Sequence, residues 1–144
     1  VERGRRGMFV TLAYLVLNAK TGELMISNAG HLPLIRVNDV TKRSELLTGP
    51  AGVPLGIMPE VGFSTDVVQL DPGDRLVAFT DGIVEAKNPK GDQFRLERLH
   101  QTIESSHEDP QTILESTIDQ VQTFSDTAPQ HDDLTMVVLE WNGD

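Results

Sequence analysis

The hydrophobic pattern along this chain changes period once, which divides it into a strand-rich first part and a largely helical later part. Residues 9–17 (FVTLAYLVL) are rich in β-branched and aromatic side chains and apolar on both faces, which predicts a central strand. Asn18 to Gly22 supply turn residues, and residues 23–27 alternate well enough to return as the hairpin partner. Asn28-Ala29-Gly30-His31 breaks that strand. Residues 32–37 form a short third strand with Pro33 near its start, because a proline cannot donate to a ladder. After a polar turn, residues 44–47 are expected to pair back. Residues 49–59 hold Gly49, Pro50, Gly52, Pro54, Gly56 and Pro59, so they read as a shaped loop anchored by Val53, Leu55 and Ile57. Residues 63–70 resume as a strand. Asp71-Pro72-Gly73-Asp74 suits a type II turn, with Pro and Gly at its two centres. Residues 75–79 (RLVAF) follow as a second central strand.

Past Ala86 the spacing lengthens. Leu96, Leu99 and Ile103 fall three and four apart and predict an amphipathic helix. Asp109-Pro110 opens a second helix with a capping acid and a proline at its first position. Its buried stripe is expected to be Ile113, Leu114, Ile118, Val121 and Phe124, and residues 126–129 stop it. Residues 134–141 close the chain as a strand apolar on both faces, which again predicts a buried, central strand. A run of strands, two helices and a last strand favours an α+β layer architecture with mostly antiparallel pairing, in a single domain over residues 1–144.

Composition narrows the chemistry. Twelve Lys and Arg stand against 22 Asp and Glu, a formal net charge of −10, which disfavours nucleic acid as a partner. There is no cysteine, so disulfides, thiolate zinc sites and cysteine nucleophiles are excluded, and a reducing, cytoplasmic location is the expectation. No apolar run approaches the roughly 20 residues of a membrane span. The absence of an initiator Met, with Arg3, Arg5 and Arg6 beside Val1, reads as a piece of a longer protein.

Two acidic positions stand out. Asp81-Gly82 follows the central strand, where Gly82 is expected to let the chain turn sharply and aim the Asp81 carboxylate outward. His131-Asp132-Asp133 stands immediately before the closing strand. Each has a plain reading as a turn beside a strand. If the two strands are neighbours, the carboxylates converge, and converging acids repel one another unless a hard cation such as Mg²⁺ or Mn²⁺ lies between them. The histidines read as bystanders: His131 in an exposed loop, His31 tying a turn by hydrogen bonds, His100 and His107 on a helix surface. No Gly-x-Ser-x-Gly elbow, P-loop, His-Glu-x-x-His or EF-hand loop occurs.

Five strings in order, MFVTLAYLVLNAKTGEL, SNAGHLPLI, GVPLGI, LDPGDRLVAFTDGIVEAKN and QHDDLTMVVLE, resemble the later motifs of the SpoIIE-type, PP2C-like (PPM) bacterial protein serine/threonine phosphatases. The resemblance spans about residues 8–140. It implies an α-β-β-α sandwich with a two-metal site at one edge, binding Mn²⁺ or Mg²⁺. Residue by residue, Asp81 matches the metal-binding acid of the Asp-Gly motif, Asp132 that of the closing motif with Thr135 at its Thr position, and Asp133 a slot held by Asp or Asn. The family's first acidic motif, which bridges both metals, falls before Val1, so the chain reads as the C-terminal portion of such a domain and is expected to be weakly active alone. The implied substrate is a phosphorylated anti-sigma factor antagonist, and an N-terminal sensor or receiver domain is typical of relatives. Homodimerisation stays open. Two rival readings are a catalytically degenerate domain that docks a partner and a small-molecule metal hydrolase.

Overall fold

The computed structural model describes residues 8–50, 52–58 and 60–143. Arg3, Arg5, Arg6 and Pro59 lie outside the described residues. The elements run β1 (Leu12–Leu17), β2 (Glu23–Ala29), β3 (Leu34–Val37), β4 (Ser44–Leu47), β5 (Asp66–Gln69), β6 (Arg75–Phe79), α1 (Asp81–Val84), α2 (Arg95–Ser105), α3 (Pro110–Ser125) and β7 (Met136–Glu140). The fold is α+β with two antiparallel sheets, ordered β1-β2-β5 and β4-β3-β6-β7. Among the described residues no helix is long and apolar enough to cross a membrane.

Alternation along the inner strands builds two cores. Leu24 and Ile26 of β2 meet Leu34 of β3, Leu76 of β6, Leu70 and Trp141 between the sheets. On the other face of the four-stranded sheet, Ile35, Val37, Val77 and Phe79 pack against Leu99 and Ile103 of α2 and Ile113 and Val121 of α3. Helices therefore cover one outer face. The outer face of the three-stranded sheet carries none among the described residues, and Leu12, Tyr14, Val16, Met25 and Val67 are exposed there.

Four expectations need correction. The strand over residues 9–17 is an edge, not a centre, because β1 pairs with β2 alone. The closing strand is likewise an edge: β7 pairs only with β6, and Val137, on the face turned away from the helices, remains 59% exposed. Apolar side chains on both faces thus do not make a strand central. In α3, Ile118 is exposed and Thr117 takes its place in the buried stripe, one turn from both Ile113 and Val121. Residues 63–70 pair only over Asp66–Gln69.

Leu55 and Ile57, expected to anchor the loop over residues 49–59, are exposed, whereas two turn and cap readings hold. Gly73 has a φ of 90° and Asp74 N–H donates to Asp71 O at 2.9 Å, which closes the turn before β6. Asp109 caps α3, accepting from Thr112 N at 2.9 Å, with Pro110 at the first position.

Candidate metal centre at the end of strands β6 and β7

The antiparallel ladder between β6 and β7 ends at the pair Phe79 and Met136. Thr80 N–H still donates to Thr135 O at 3.0 Å, and then the two chains part. One enters α1 at Asp81, while the other arrives through Asp132, Asp133 and Leu134. Neighbouring strands thus deliver Asp81 and Asp132-Asp133 to the same end of the sheet.

Two features clasp these segments. The Thr80 hydroxyl accepts from Thr135 N–H at 3.1 Å and donates to Asp133 O at 3.1 Å. Gly82 supplies the other. It sits in a helical turn, not in the left-handed region, so the sharp turn expected of it is absent. Its missing side chain is what matters: a Cβ there would stand 2.4 Å from Asp133 O and 3.5 Å from Asp132 Cβ. The β6 end and the Asp132-Asp133 loop touch backbone to backbone only because residue 82 has no Cβ.

Asp81, Asp132 and Asp133 are all exposed. Among the described residues no base pairs with any of them, and no hydrogen bond occupies the Asp81 carboxylate. Asp132 Oδ1 accepts from Asp133 N–H at 2.8 Å, which fixes its side chain against the loop and leaves Oδ2 open. Gln130 Nε2 donates to Asp132 O at 2.8 Å and braces the loop from the other side. Beside Asp132 a cavity of about 390 Å³ opens between α1 and the end of α3, lined by Gly82, Glu85, Val121, Gln122, Asp126 and other residues. Two carboxylates on adjoining segments are the hard oxygen donors a divalent cation takes. Among the described residues no cluster of three or more His, Cys, Asp or Glu side chains forms a ready metal cage.

The histidines lie elsewhere in role. His31 is fastened in its turn, with Nδ1 2.9 Å from Leu32 O and its backbone clamped by the Asn28 amide. His107 Nδ1 meets Glu104 O at 2.8 Å, and His131 is an exposed loop residue. His100 is less of a bystander than the sequence implies: it is half-buried, with Nδ1 2.5 Å from Ser44 Oγ. The hydroxyl's bond to Glu104 is not that of an activated serine. The Glu104 carboxyl is held below the usual carboxylate range, first by the Ser44 backbone N–H and against the effect of its burial, then by the Ser44 hydroxyl and Arg43. It is therefore an acceptor, and Ser44 gives its single proton to Glu104 at 3.0 Å. With that proton on Glu104, the tautomer consistent with the trio has His100 Nδ1–H donating to Ser44, the reverse of what a general base does. This trio ties β4 to α2, at the end of the sheet far from Asp81.

The buried polar centre was also missed by sequence reasoning. Asp74 is fully buried and accepts from Arg36 Nε at 2.7 Å, Asp71 N at 2.9 Å, Asp39 N at 3.1 Å and Asn38 Nδ2 at 3.3 Å. Only the turn motif around it pointed to its place.

The family profile described as Stage II sporulation protein E matches residues 1–142. Among curated relatives, Protein IcfG of Synechocystis sp. is 33% identical over 142 residues, covering 98% of this chain and 22% of that protein. Phosphoserine phosphatase RsbU of Bacillus subtilis is 26% identical over 132 residues, covering 92% of this chain and 39% of the relative. The chain thus spans well under half the length of either. Among solved structures, the PP2C phosphatase domain of SpoIIE from Bacillus subtilis, with a fragment of its regulatory domain, superposes with a TM-score of 0.77 at 22% identity, covering 96% of this chain and 41% of that one. Sequence profile and fold agree that this chain belongs to the SpoIIE family of PP2C-like phosphatase domains.

Proposed function

We propose that the protein containing this domain is a metal-dependent protein phosphatase, hydrolysing phosphoserine or phosphothreonine on a regulatory protein of the anti-sigma factor antagonist type. The observation that carries this reading is the clasp at the end of β6 and β7, which gathers Asp81 and Asp132 on adjoining segments with no basic partner among the described residues. The relative named as a phosphoserine phosphatase supports the reaction class. Asp81 and Asp132 would hold Mn²⁺ or Mg²⁺, with Asp133 ranked behind them because the family resemblance puts either Asp or Asn at its slot. When bound, such ions lower the pKa of a water toward neutrality and neutralise charge on the phosphoryl group. The chain's own contribution is to bring two carboxylates to one end of the sheet and to hold that of Asp132 by the Asp133 N–H. A carboxylate hydrogen-bonded on one oxygen keeps the other free for a ligand, which is the state of Asp132.

The two carboxylates gathered here do not by themselves complete a site for two ions. The same incompleteness favours one rival, a phosphatase-like domain that docks a partner without catalysis. The full-length protein separates the two. Hydrolysis of a phosphoserine protein that requires Mn²⁺ and is lost in Asp81→Asn supports the enzyme. Tight partner binding with no turnover at any Mn²⁺ concentration supports the docking domain.

A further inference from the structure

We infer that Thr80 is a positioning residue for the metal site, acting through its hydroxyl on the segment that carries Asp132. The inference rests on the phosphatase reading above. Thr80 is the last residue before Asp81, and Thr135 is three residues after Asp132. Past the backbone bond from Thr80 N to Thr135 O, the ladder has no further rung. What holds the two acid-bearing segments together beyond that point is the Thr80 hydroxyl and the Gly82 contact.

The hydrogen-bond count makes the hydroxyl's role specific. Thr135 N–H and Asp133 O lie two residues apart on the exposed segment that leads into β7, where the hydroxyl takes the place water would otherwise fill. One hydroxyl serves both, since it carries a proton to give and lone pairs to receive. A second, weaker contact to Thr135 O, at 3.5 Å, lies at the limit of a hydrogen bond. Serine supplies the same group. Valine has the same shape and supplies neither half. Alanine shortens the side chain and removes both.

Loss of the hydroxyl frees Asp133, and with it the backbone that orients Asp132. The loop retains the Gln130 brace, so it loosens without leaving the site. Groups that orient metal ligands from behind change metal affinity by about 10–100-fold when removed. Thr80→Val is therefore expected to weaken Mn²⁺ binding by about tenfold or more. Thr80→Ser should stay within about threefold of the parent, well inside that range.

The test is Mn²⁺ titration of the full-length protein by calorimetry, with Thr80→Ser, Thr80→Val and Thr80→Ala. Amide hydrogen exchange in the absence of metal is followed alongside. In the valine variant the Thr135 amide should exchange faster, because its acceptor is gone, while amides within β2 and β3 stay protected. Circular dichroism and Trp141 fluorescence check that each variant folds, and the serine variant carries the comparison if valine does not. Three results would overturn the assignment: a valine variant that binds Mn²⁺ as the parent does, serine and valine variants that lose affinity equally, or a Thr135 amide indifferent to the hydroxyl. A parent protein that takes up no Mn²⁺ at all defeats the metal reading itself, and is distinguished from these by failing before any variant is compared.

Discussion

Replacing Gly82 by alanine sets two sizeable effects against each other. Gly82 lies in the helical turn α1 with ordinary backbone angles, so helix propensity alone favours alanine by about 0.8–1 kcal/mol. Against this, the added Cβ stands 2.4 Å from Asp133 O, where a carbon-to-oxygen contact is comfortable only at about 3.3 Å. The loop must retreat by roughly 0.9 Å, and overpacking of this kind costs about 1–3 kcal/mol. The net effect on folding is a loss of about 0–2 kcal/mol once the propensity gain is set off. The effect on function is larger. The retreat carries Asp132 away from Asp81 by nearly the distance that costs about 100-fold when reacting groups are misplaced. Gly82→Ala should therefore unfold in urea close to the parent, followed by Trp141 fluorescence, yet show turnover of p-nitrophenyl phosphate with Mn²⁺ reduced by about two orders of magnitude. An alanine variant that is more stable than the parent and equally active would refute the reasoning, because it would mean the loop yields freely and the close contact positions nothing.

Asp81→Asn keeps the shape and removes the charge; Mn²⁺-dependent turnover in the full-length protein should fall by two orders of magnitude or more, on the order of the several kcal/mol a bound metal contributes. Asp74→Ala leaves the half-buried Arg36 guanidinium and two backbone donors without their shared acceptor, and urea unfolding should show a loss of about 3–5 kcal/mol, a large share of a total of about 5–15. Thr117→Val removes a buried hydroxyl that has no partner among the described residues, and the melting temperature should rise in keeping with a gain of about 1 kcal/mol or more. Glu104 titrates lower folded than unfolded, so its contribution is present above the unfolded pKa near about 4.3 and is lost as pH falls through the folded value. Glu104→Gln should melt below the parent at pH 7, with the gap closing in melts taken below about pH 4.

What the amino-acid string discloses here depends on whether the deciding contact is local. The cap at Asp109, the proline at the start of α3 and the turn at Gly73 are settled within four residues, and each is found as expected. The pairing of β2 with β1 follows from a short hairpin. The misjudged strands fail for one shared reason. A strand is central when partners lie on both sides, and β1 and β7 have one partner each although their side chains are apolar on both faces. Periodicity reports what a strand is able to cover, not how many neighbours reach it. The displacement of Ile118 by Thr117 is of the same kind, since the helix's rotation is fixed by the sheet beneath it. Thr80 and Gly82 were out of reach for a further reason. Their partners are more than 50 residues away, and neither a hydroxyl nor a missing Cβ carries a local pattern.

The distribution of charge over the four-stranded sheet gives the acid pair its meaning. Every ion pair found among the described residues lies toward the end where β6 begins: Arg36 with Asp74, Asp71 and Glu45, Arg75 with Asp39 and Glu140, Lys42 with Asp39, and Arg43 with Glu104. Lys42 first, and then Arg75, holds the Asp39 carboxyl below its usual range. Bases are scarce in this chain, and the fold concentrates their pairing at one end. At the other end, where β6 stops, Asp81, Asp132 and Asp133 have no ion-pair partner among the described residues, although the Gly82 contact and the Thr80 hydroxyl hold their backbones together. Pressing acids together without a base is unfavourable unless something else supplies positive charge. Surface acids that served only solubility would be better placed apart, and under the proposed function a divalent cation is the partner these acids would hold. Mn²⁺ should therefore raise the melting temperature of the full-length protein, and Asp81→Asn should remove that increment while leaving the metal-free melt at or slightly above the parent's, since one of the repelling charges is gone. An increment that survives in Asp81→Asn, or in the charge-removing pair Asp132→Asn with Asp133→Asn, would place the cation elsewhere on the acidic surface and leave the clasp without its reason.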